Sequence, residues 1–399
     1  YSALHIDSTY IYSGVINNSA LDSFSSQILD FYRRRNFQAA WYDENGFSTH
    51  AHTFFMRIKN YMAEVGDSTL LNGQLVFVGD SVELAKSGTF RSQQLKPMID
   101  VLLTAVFFEY ARREYYGTEK ATHDLEWYIP RKKKDYLKLL NALISSDAEY
   151  KKYEPLSPFY IALKKELIRY RQLEQSGALP VVPQEVCSLK MGDSSPAVIT
   201  LKRYLQLTGD YTEPDSTPVY SQALVKAMEA FQQRMGIPVN ETPDSITLRE
   251  MNTPISTRIR QIMINLERLR WAPDSLPDDY LMVNIPEFKL HVFEKGKPEW
   301  DMKIIVGEEA HMTSIFSNNL KHVVFRPYWK VPQSIIVNEM LPILKRDPGY
   351  LIRLNMEVLS NGVVVNPYAV NWRRYTKSVP YVIRQKPGRN NSLGLIMFL

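Results

Sequence analysis

The chain has 399 residues, 45% of them hydrophobic and 23% charged, and 48 basic against 43 acidic side chains give a net charge of +5. This length fits about two to four domains, and the composition excludes wholesale disorder. The basic excess is too small to argue for nucleic acid, and a single cysteine, Cys187, excludes an intramolecular disulfide and a cysteine-built zinc site.

Residues 1 to about 175 read mostly as helix. Phe24, Ile28, Phe31 and Tyr32 recur at helical spacing, as do Phe54, Ile58, Tyr61 and Met62. In the stretch from Leu95 to Tyr110, Ile99, Leu102, Leu103 and Val106 are expected on one side. Its longest uncharged run, Val101–Phe108, is bounded by Asp100 and Glu109, far short of the roughly 18–20 apolar residues that span a bilayer. The basic run Arg131–Lys134 is expected to be a solvated turn. Phe159, Leu163, Leu167 and Tyr170 mark a further amphipathic helix. Nothing in this region unites acid, base and nucleophile, so it reads as a helical scaffold.

Gly177, Pro180 and Pro183 mark a domain edge. Ser195 and Pro196 then form an N-cap and first-turn pair ahead of Val198, Leu201 and Leu205. A second helix is capped by Ser221 and stopped by Gly236, and a third runs through Ile246, Leu248 and Met251. Ser256 is expected to cap a longer helix carrying Arg258, Arg260, Arg268 and Arg270 on its polar side. Beyond it the period changes to that of strands at Tyr280–Ile285, Lys289–Glu294, Lys303–Val306 and His322–Phe325, with Gly296 and Pro298 in a hairpin turn. One helical insertion is expected around Ser334–Lys345.

Several chemistries are missing from these residues. There is no dinucleotide fingerprint, P-loop, H-E-x-x-H zinc motif or Ser-x-x-Lys acylase pattern. His50 and His52 have no acidic cluster beside them and read as a polar helix start. Cys187, in Gln184–Leu189, has no histidine near it in sequence and reads as a small structural hydrophobe.

Residues 188–252 resemble the type 1 peptidoglycan-binding domain, through Leu189, Gly192-Asp193, Pro196, Leu201, Leu205, Ala227, Phe231-Gln232, Gly236 and Thr247-Leu248. The usual Asp-Gly turn before that Thr-Leu is replaced by Asn240–Asp244. The following segments, Asn265–Arg268, Arg270-Trp271, Val283–Pro286, Val306-Gly307, Thr313, Phe316-Ser317, Pro327–Trp329, Val331-Pro332, Ser334-Ile335 and Glu339, continue a pattern. Pro342, Asp347-Pro348, Tyr350-Leu351, Arg384-Gln385, Pro387-Gly388 and Asn391–Gly394 complete it. Together they resemble the YkuD-type L,D-transpeptidases of the large multidomain YcbB subgroup. Phe31-Tyr32, Trp41, Trp127-Tyr128 and Pro130-Arg131 extend the likeness into the helical region.

The resemblance implies a multidomain α+β fold. Its expected parts are a helical scaffold over 1–180, a three-helix peptidoglycan-binding module over 185–254, a connecting helix over 255–278, and a mainly-β transpeptidase domain over 279–399 with a lid at about 334–371. It implies an exported, periplasmic or envelope enzyme that joins peptidoglycan stem peptides by 3-3 cross-links through a cysteine thioester, open to acylation by carbapenems, with no metal or cofactor. Peptidoglycan stem peptides and glycan, and cell-wall synthesis proteins, are the expected partners, with no nucleic acid and no membrane span. Tyr328, Trp329 and Ser334 are cleft candidates; Arg203, Tyr204 and Tyr220 are peptidoglycan-binding candidates. The 258–270 arginine face could attract anionic wall polymer, against a default of a solvated helix face.

The family nucleophile lies in a Ser-x-Gly-Cys-x-Arg signature with a histidine upstream, both after the strand at Asn391–Gly394. Neither occurs in these residues, and His291, His311 and His322 do not match the motif histidine. The apolar run Leu395–Leu399 reads as a strand cut in mid-run, so the 399-residue chain is expected to be inactive by itself and its catalytic segment to lie beyond Leu399. The alternatives are a non-catalytic wall-binding scaffold or pseudoenzyme, and an L,D-carboxypeptidase in which water replaces the acceptor amine.

Overall fold

The computed structural model describes residues 4–7, 9, 11, 23–43, 46–66, 95–117, 127–131, 133–177, 179–308 and 312–399. The chain divides into two compact units, Tyr1–Ile315 and Phe316–Leu399. Lys132 and His311 lie outside the described residues.

The first unit begins with α1 (Ser25–Arg34), a small hairpin of β1 (Tyr42–Asp43) and β2 (Gly46–Phe47), and α2 (Thr49–Val65). Next come α3 (Lys96–Ala111), which continues into a π-turn at Arg112–Tyr116, then α4 (Tyr136–Ser145), α5 (Asp147–Tyr153) and α6 (Pro158–Ser176). Four of these six helices start where the sequence supplies a cap: Ser48, Asp135, Ser146 and Ser157 each accept a backbone N–H from the first turn.

Here α3 departs from the expected one-sided stripe. Every residue from Ile99 to Ala111 is buried, because α1, α2 and α4 surround the helix with aromatic and aliphatic side chains. Its polar residues are therefore paired internally. The Asp100 carboxylate accepts from Tyr32 Oη (2.6 Å) and from the backbone N–H groups of Ala40 (3.1 Å) and Trp41 (2.8 Å). Trp41 Nε1 donates to Thr104 Oγ1 at 2.9 Å.

The basic run is not a solvated turn. The Arg131 guanidinium lies over the rings of Tyr116 (5.1 Å) and Trp271 (4.7 Å), and Lys134 pairs with Asp274. Stacking and ion pairing hold these cations against the fold rather than in water.

The small helical module contains a 3₁₀ turn at Gln184–Ser188, α7 (Pro196–Thr208), α8 (Gln222–Met235) and α9 (Ser245–Met251). Ser195 and Ser221 cap α7 and α8, and Gly236 ends α8 in the left-handed conformation (φ 67°). A separate hydrophobic core forms around Val198, Leu201, Leu205, Leu224, Met228 and Phe231.

The connecting helix α10 (Ile255–Trp271) starts one residue before Ser256, which therefore does not cap it. Pro254 is the N-cap, with no side-chain cap bond. Tyr160 and Leu167 of α6 pack with Ile259 and Leu266 of α10. Lys164 Nζ (2.6 Å), Tyr160 Oη (3.3 Å) and Arg270 Nη2 (3.9 Å) converge on the carboxylate of the buried Glu114.

Three antiparallel strands follow: β3 (Tyr280–Asn284), β4 (Lys289–Glu294) and β5 (Lys297–Lys303). The third strand lies earlier than the expected Lys303–Val306, because Lys295 and Gly296 (φ 51° and 71°) turn the chain within two residues. The register pairs Leu281 with Val292 and Val292 with Trp300, and Val283 with Leu290 and Leu290 with Met302. These six residues share one apolar face, and Leu281, Val283, Trp300 and Met302 are exposed.

In the second unit, β6 (Val323–Phe325), β7 (Trp329–Lys330), β8 (Met356–Ser360), β9 (Val363–Val365), β10 (Val382–Gln385) and β11 (Ile396–Phe398) make two antiparallel sheets, of order β7-β10-β8-β9 and β11-β6. The helical insertion runs through Gln333–Ile335, a π-turn at Ile336–Met340 and Leu341–Leu344, followed by Tyr350–Arg353. The segment expected as a lid, 334–371, contributes β8 and β9 to the larger sheet. It also supplies Ile336, Met340, Leu341, Leu344, Leu351 and Val358 to the unit's core.

Candidate active-site surface

Around Tyr328 the second unit presents a connected set of paired polar side chains. Pairing of β10 with β7 and β8 sets Gln385 opposite Trp329 and Met356, and Arg384 opposite Lys330 and Glu357. Arg384 donates to Glu357 Oε1 at 2.5 Å, and its guanidinium lies 4.1 Å from the centre of the exposed Tyr328 ring. Tyr328 is thus a stacked surface aromatic, not a core residue. Trp329 is half-buried against the unit's core, and Ser334 is exposed in the first turn after Pro332.

A buried amide pair fixes the loop after β10. Gln385 Nε2 donates to the carbonyls of Leu354 and Asn390, each at 3.1 Å, while its Oε1 accepts from Ser392 N at 2.9 Å and Ser392 Oγ at 3.1 Å. Asn391 Nδ2 donates to the carbonyls of Pro327 (3.2 Å) and Lys386 (3.0 Å), and its Oδ1 accepts from Leu393 N at 2.8 Å. Asn391 therefore ties the residue before Tyr328 to the 386–394 loop. The sequence offered these residues as motif letters; their role as a lock is visible only once the strands pair.

In the helical module, Arg203 is exposed, while Tyr204 and Tyr220 are corrected to core positions. Tyr204 packs edge-on against Phe231 (6.0 Å between ring centres), and Tyr220 is fully buried with its hydroxyl donating to the Glu241 carbonyl at 2.8 Å. Neither ring is open to a ligand. Sequence reading missed Lys202, which is 1% exposed and donates to Asp215 Oδ2 (2.5 Å) and to the Thr217 carbonyl (2.9 Å). Its signal was a lysine within the apolar stripe of Val198, Leu201 and Leu205. That lysine holds Asp215 well below the usual carboxylate range, with Thr217 adding hydrogen bonds.

Cys187 sits in the 3₁₀ turn, packed against the module's core. Burial, with the nearby Asp244 charge, pushes its thiol pKa up, the opposite of what a nucleophile needs. His50 and His52 lie in the first turn of α2 after the Ser48 cap, and no group of three or more metal-binding side chains occurs among the described residues. The arginine side of α10 is not a uniform solvated face, since Arg258 pairs with Glu250 and Arg270 with Glu267 and Glu114. No helix among the described residues is long and apolar enough to cross a membrane.

Residues 278–394 match the family model of the L,D-transpeptidase catalytic domain, YkuD. The C-terminal part of this chain is thus similar to a YkuD-type catalytic domain. Residues 194–251 match the family described as "Putative peptidoglycan binding domain", and residues 26–167 match a scaffold domain. A curated Haemophilus influenzae protein named "Putative L,D-transpeptidase" is 33% identical over 140 residues, which is 35% of this chain and 28% of that protein. The matched stretch thus spans little more than a quarter of that relative. The Tyr328, Arg384 and Asn391 arrangement falls inside the matched catalytic region, whereas Cys187 falls outside both it and the peptidoglycan-binding match.

Proposed function

We propose that the protein is an L,D-transpeptidase that makes 3-3 cross-links between peptidoglycan stem peptides in the cell envelope. The observation that carries this reading is the presence, on one chain, of a transpeptidase catalytic match and a peptidoglycan-binding match. In this reaction a cysteine thiolate attacks the donor carbonyl before the terminal D-alanine. The C–N bond breaks, D-alanine leaves as the protonated amine, and a thioester forms. An acceptor stem-peptide amine then attacks the thioester and releases the thiol, with backbone N–H groups holding the oxyanion.

Residues 278–399 contain no cysteine, so the thiol for this chemistry is expected outside them and not at Cys187. Tyr328, Trp329 and Ser334 would border the donor cleft, with segment 334–371 above it as a lid, and Arg203 would face the wall polymer. The same thiol would be the target of carbapenems. The domain limits 1–180, 185–254, 255–278 and 279–399 belong to this proposal.

The test is incubation of the complete protein with disaccharide-tetrapeptide, followed by mass spectrometry of the products. Cross-linked dimers with D-alanine release are expected. Release without dimers would replace the reading by a carboxypeptidase, and sacculus binding without turnover by a wall-binding scaffold. With a carbapenem, the 399-residue chain should gain no adduct; acylation of Cys187 would overturn the assignment.

A further inference from the structure

The arginine side of α10 divides into two kinds of cation. Arg258 and Arg270 are spent on internal carboxylates, but Arg260 and Arg268 are exposed and have no acidic partner among the described residues. They are eight residues apart, about 12 Å along the helix axis, with Ile264, 47% exposed, midway between them on the same stripe.

Between α6 and α10 this stripe borders a groove of about 600 Å³, floored by Met263, Ile264 and the edge of Trp271. Arg171 enters it from α6, and the Arg171 Nε is buried without a hydrogen-bond partner. The acids among the described lining residues, Glu174 and Glu267, are already committed. Glu174 accepts from Arg171 at 3.1 Å, and Glu267 from Arg270 at 2.9 Å and from Trp271 Nε1 at 3.1 Å. Among the described residues the groove is thus apolar along its floor and carries uncompensated positive charge along its edge.

We propose that this α6–α10 groove docks an acidic amphipathic helix of a partner protein. Leucine-like side chains would seat on Met263 and Ile264, and two carboxylates about two helical turns apart would pair with Arg260 and Arg268. A glycan strand or stem peptide meets the charge but offers no comparably apolar face to the floor. The proposal does not depend on the catalytic assignment, because every residue in it lies before Ala272.

The test uses the complete protein and a fluorescent synthetic helix of about 16 residues, with leucines on one face and glutamates two turns apart. Binding is followed by anisotropy, with a Glu→Gln version of the peptide and purified sacculi as further arms. The peptide is expected to bind in a salt-dependent way. Binding should weaken about tenfold or more in the Arg260→Glu/Arg268→Glu double variant and in Ile264→Asp, and partly recover in Arg260→Lys/Arg268→Lys. Unchanged circular dichroism and melting of these surface variants will show that the fold is intact. Equal binding by parent and double variant, or no peptide binding at all, overturns the proposal. Loss of sacculus binding alone assigns the groove to wall polymer and overturns it as well.

Discussion

In the scaffold, Phe107 on α3 is completely buried, with Phe54 and Phe108 packed on it at 5.6 Å and 5.9 Å between ring centres. On the β3–β5 sheet, Trp300 and Leu281 sit in an equally regular apolar pattern, yet each stays 53% exposed. Hydrophobic residues at the right period create an apolar face in both places. What differs is whether other elements close over that face. Around α3, three helices do so, and the polar side chains of α3 find partners inside. Within the described residues, the sheet side carrying Trp300 and Met302 faces solvent.

Large-to-small substitution should expose this difference most sharply. Phe107→Ala is expected to destabilise the scaffold by about 3–5 kcal/mol, through lost burial and the cavity left behind. Denaturant unfolding followed by near-ultraviolet circular dichroism measures it, and a loss below 1 kcal/mol would show that the α3 core relaxes far more than its packing implies. The helical module adds a charged version of a closed core. Lys202→Ala empties a buried site and leaves the partly exposed Asp215 and the Thr217 carbonyl without their donor. The module's midpoint of denaturant unfolding should fall measurably, by more than for a truncation at the exposed Arg203. Lys202→Met, which fills the same space, should cost as much only if the charge pairing rather than the volume matters.

The closed core also carries a pH signature. Burial pushes the Asp100 carboxyl from its usual 3.8 up to about 6, against the opposing hydrogen bonds from Tyr32 and the N–H groups of Ala40 and Trp41. Because the folded value lies above the unfolded one, this group's contribution is fully present below pH 3.8 and is lost as pH rises through about 6. The gap corresponds to about 3 kcal/mol at most. Asp100→Asn should therefore flatten the pH dependence of scaffold stability between about pH 4 and 7 relative to the parent chain. A parent whose stability rose over that range, with no difference in the variant, would refute the sign.

These contrasts mark how far the sequence is readable. Helix starts at Ser195 and Ser221 and the stop at Gly236 are legible because a cap acts within its own turn. The start of α10 is not, because Pro254 fits the cap geometry and leaves Ser256 inside the helix. Burial is less legible still. A stripe at Ile99, Leu102, Leu103 and Val106 says one side of α3 is covered, but covering the other side depends on helices distant in sequence. For the candidate site, the letters Arg384-Gln385 and Asn391-Ser392 were visible, whereas the lock they form needs β10 set between β7 and β8. Arg131 and Lys134 were misread for the same reason: their partners Trp271 and Asp274 are about 140 residues away.

The smallest expected effect is on the open face. Trp300→Ala removes a large side chain that is 53% exposed, so its cost to stability should stay within about 0.5 kcal/mol. Surface behaviour should change instead. The ladder Leu281–Val292–Trp300 beside Val283–Leu290–Met302 is a continuous apolar patch on a three-stranded sheet whose β5 edge is unpaired among the described residues, a surface prone to dye binding and self-association. Trp300→Ala should therefore lower anilinonaphthalene-sulfonate fluorescence and reduce concentration-dependent association in sedimentation. A destabilisation above 1 kcal/mol, with dye binding unchanged, would mean that the face is covered in solution, and the contrast with the scaffold core would disappear.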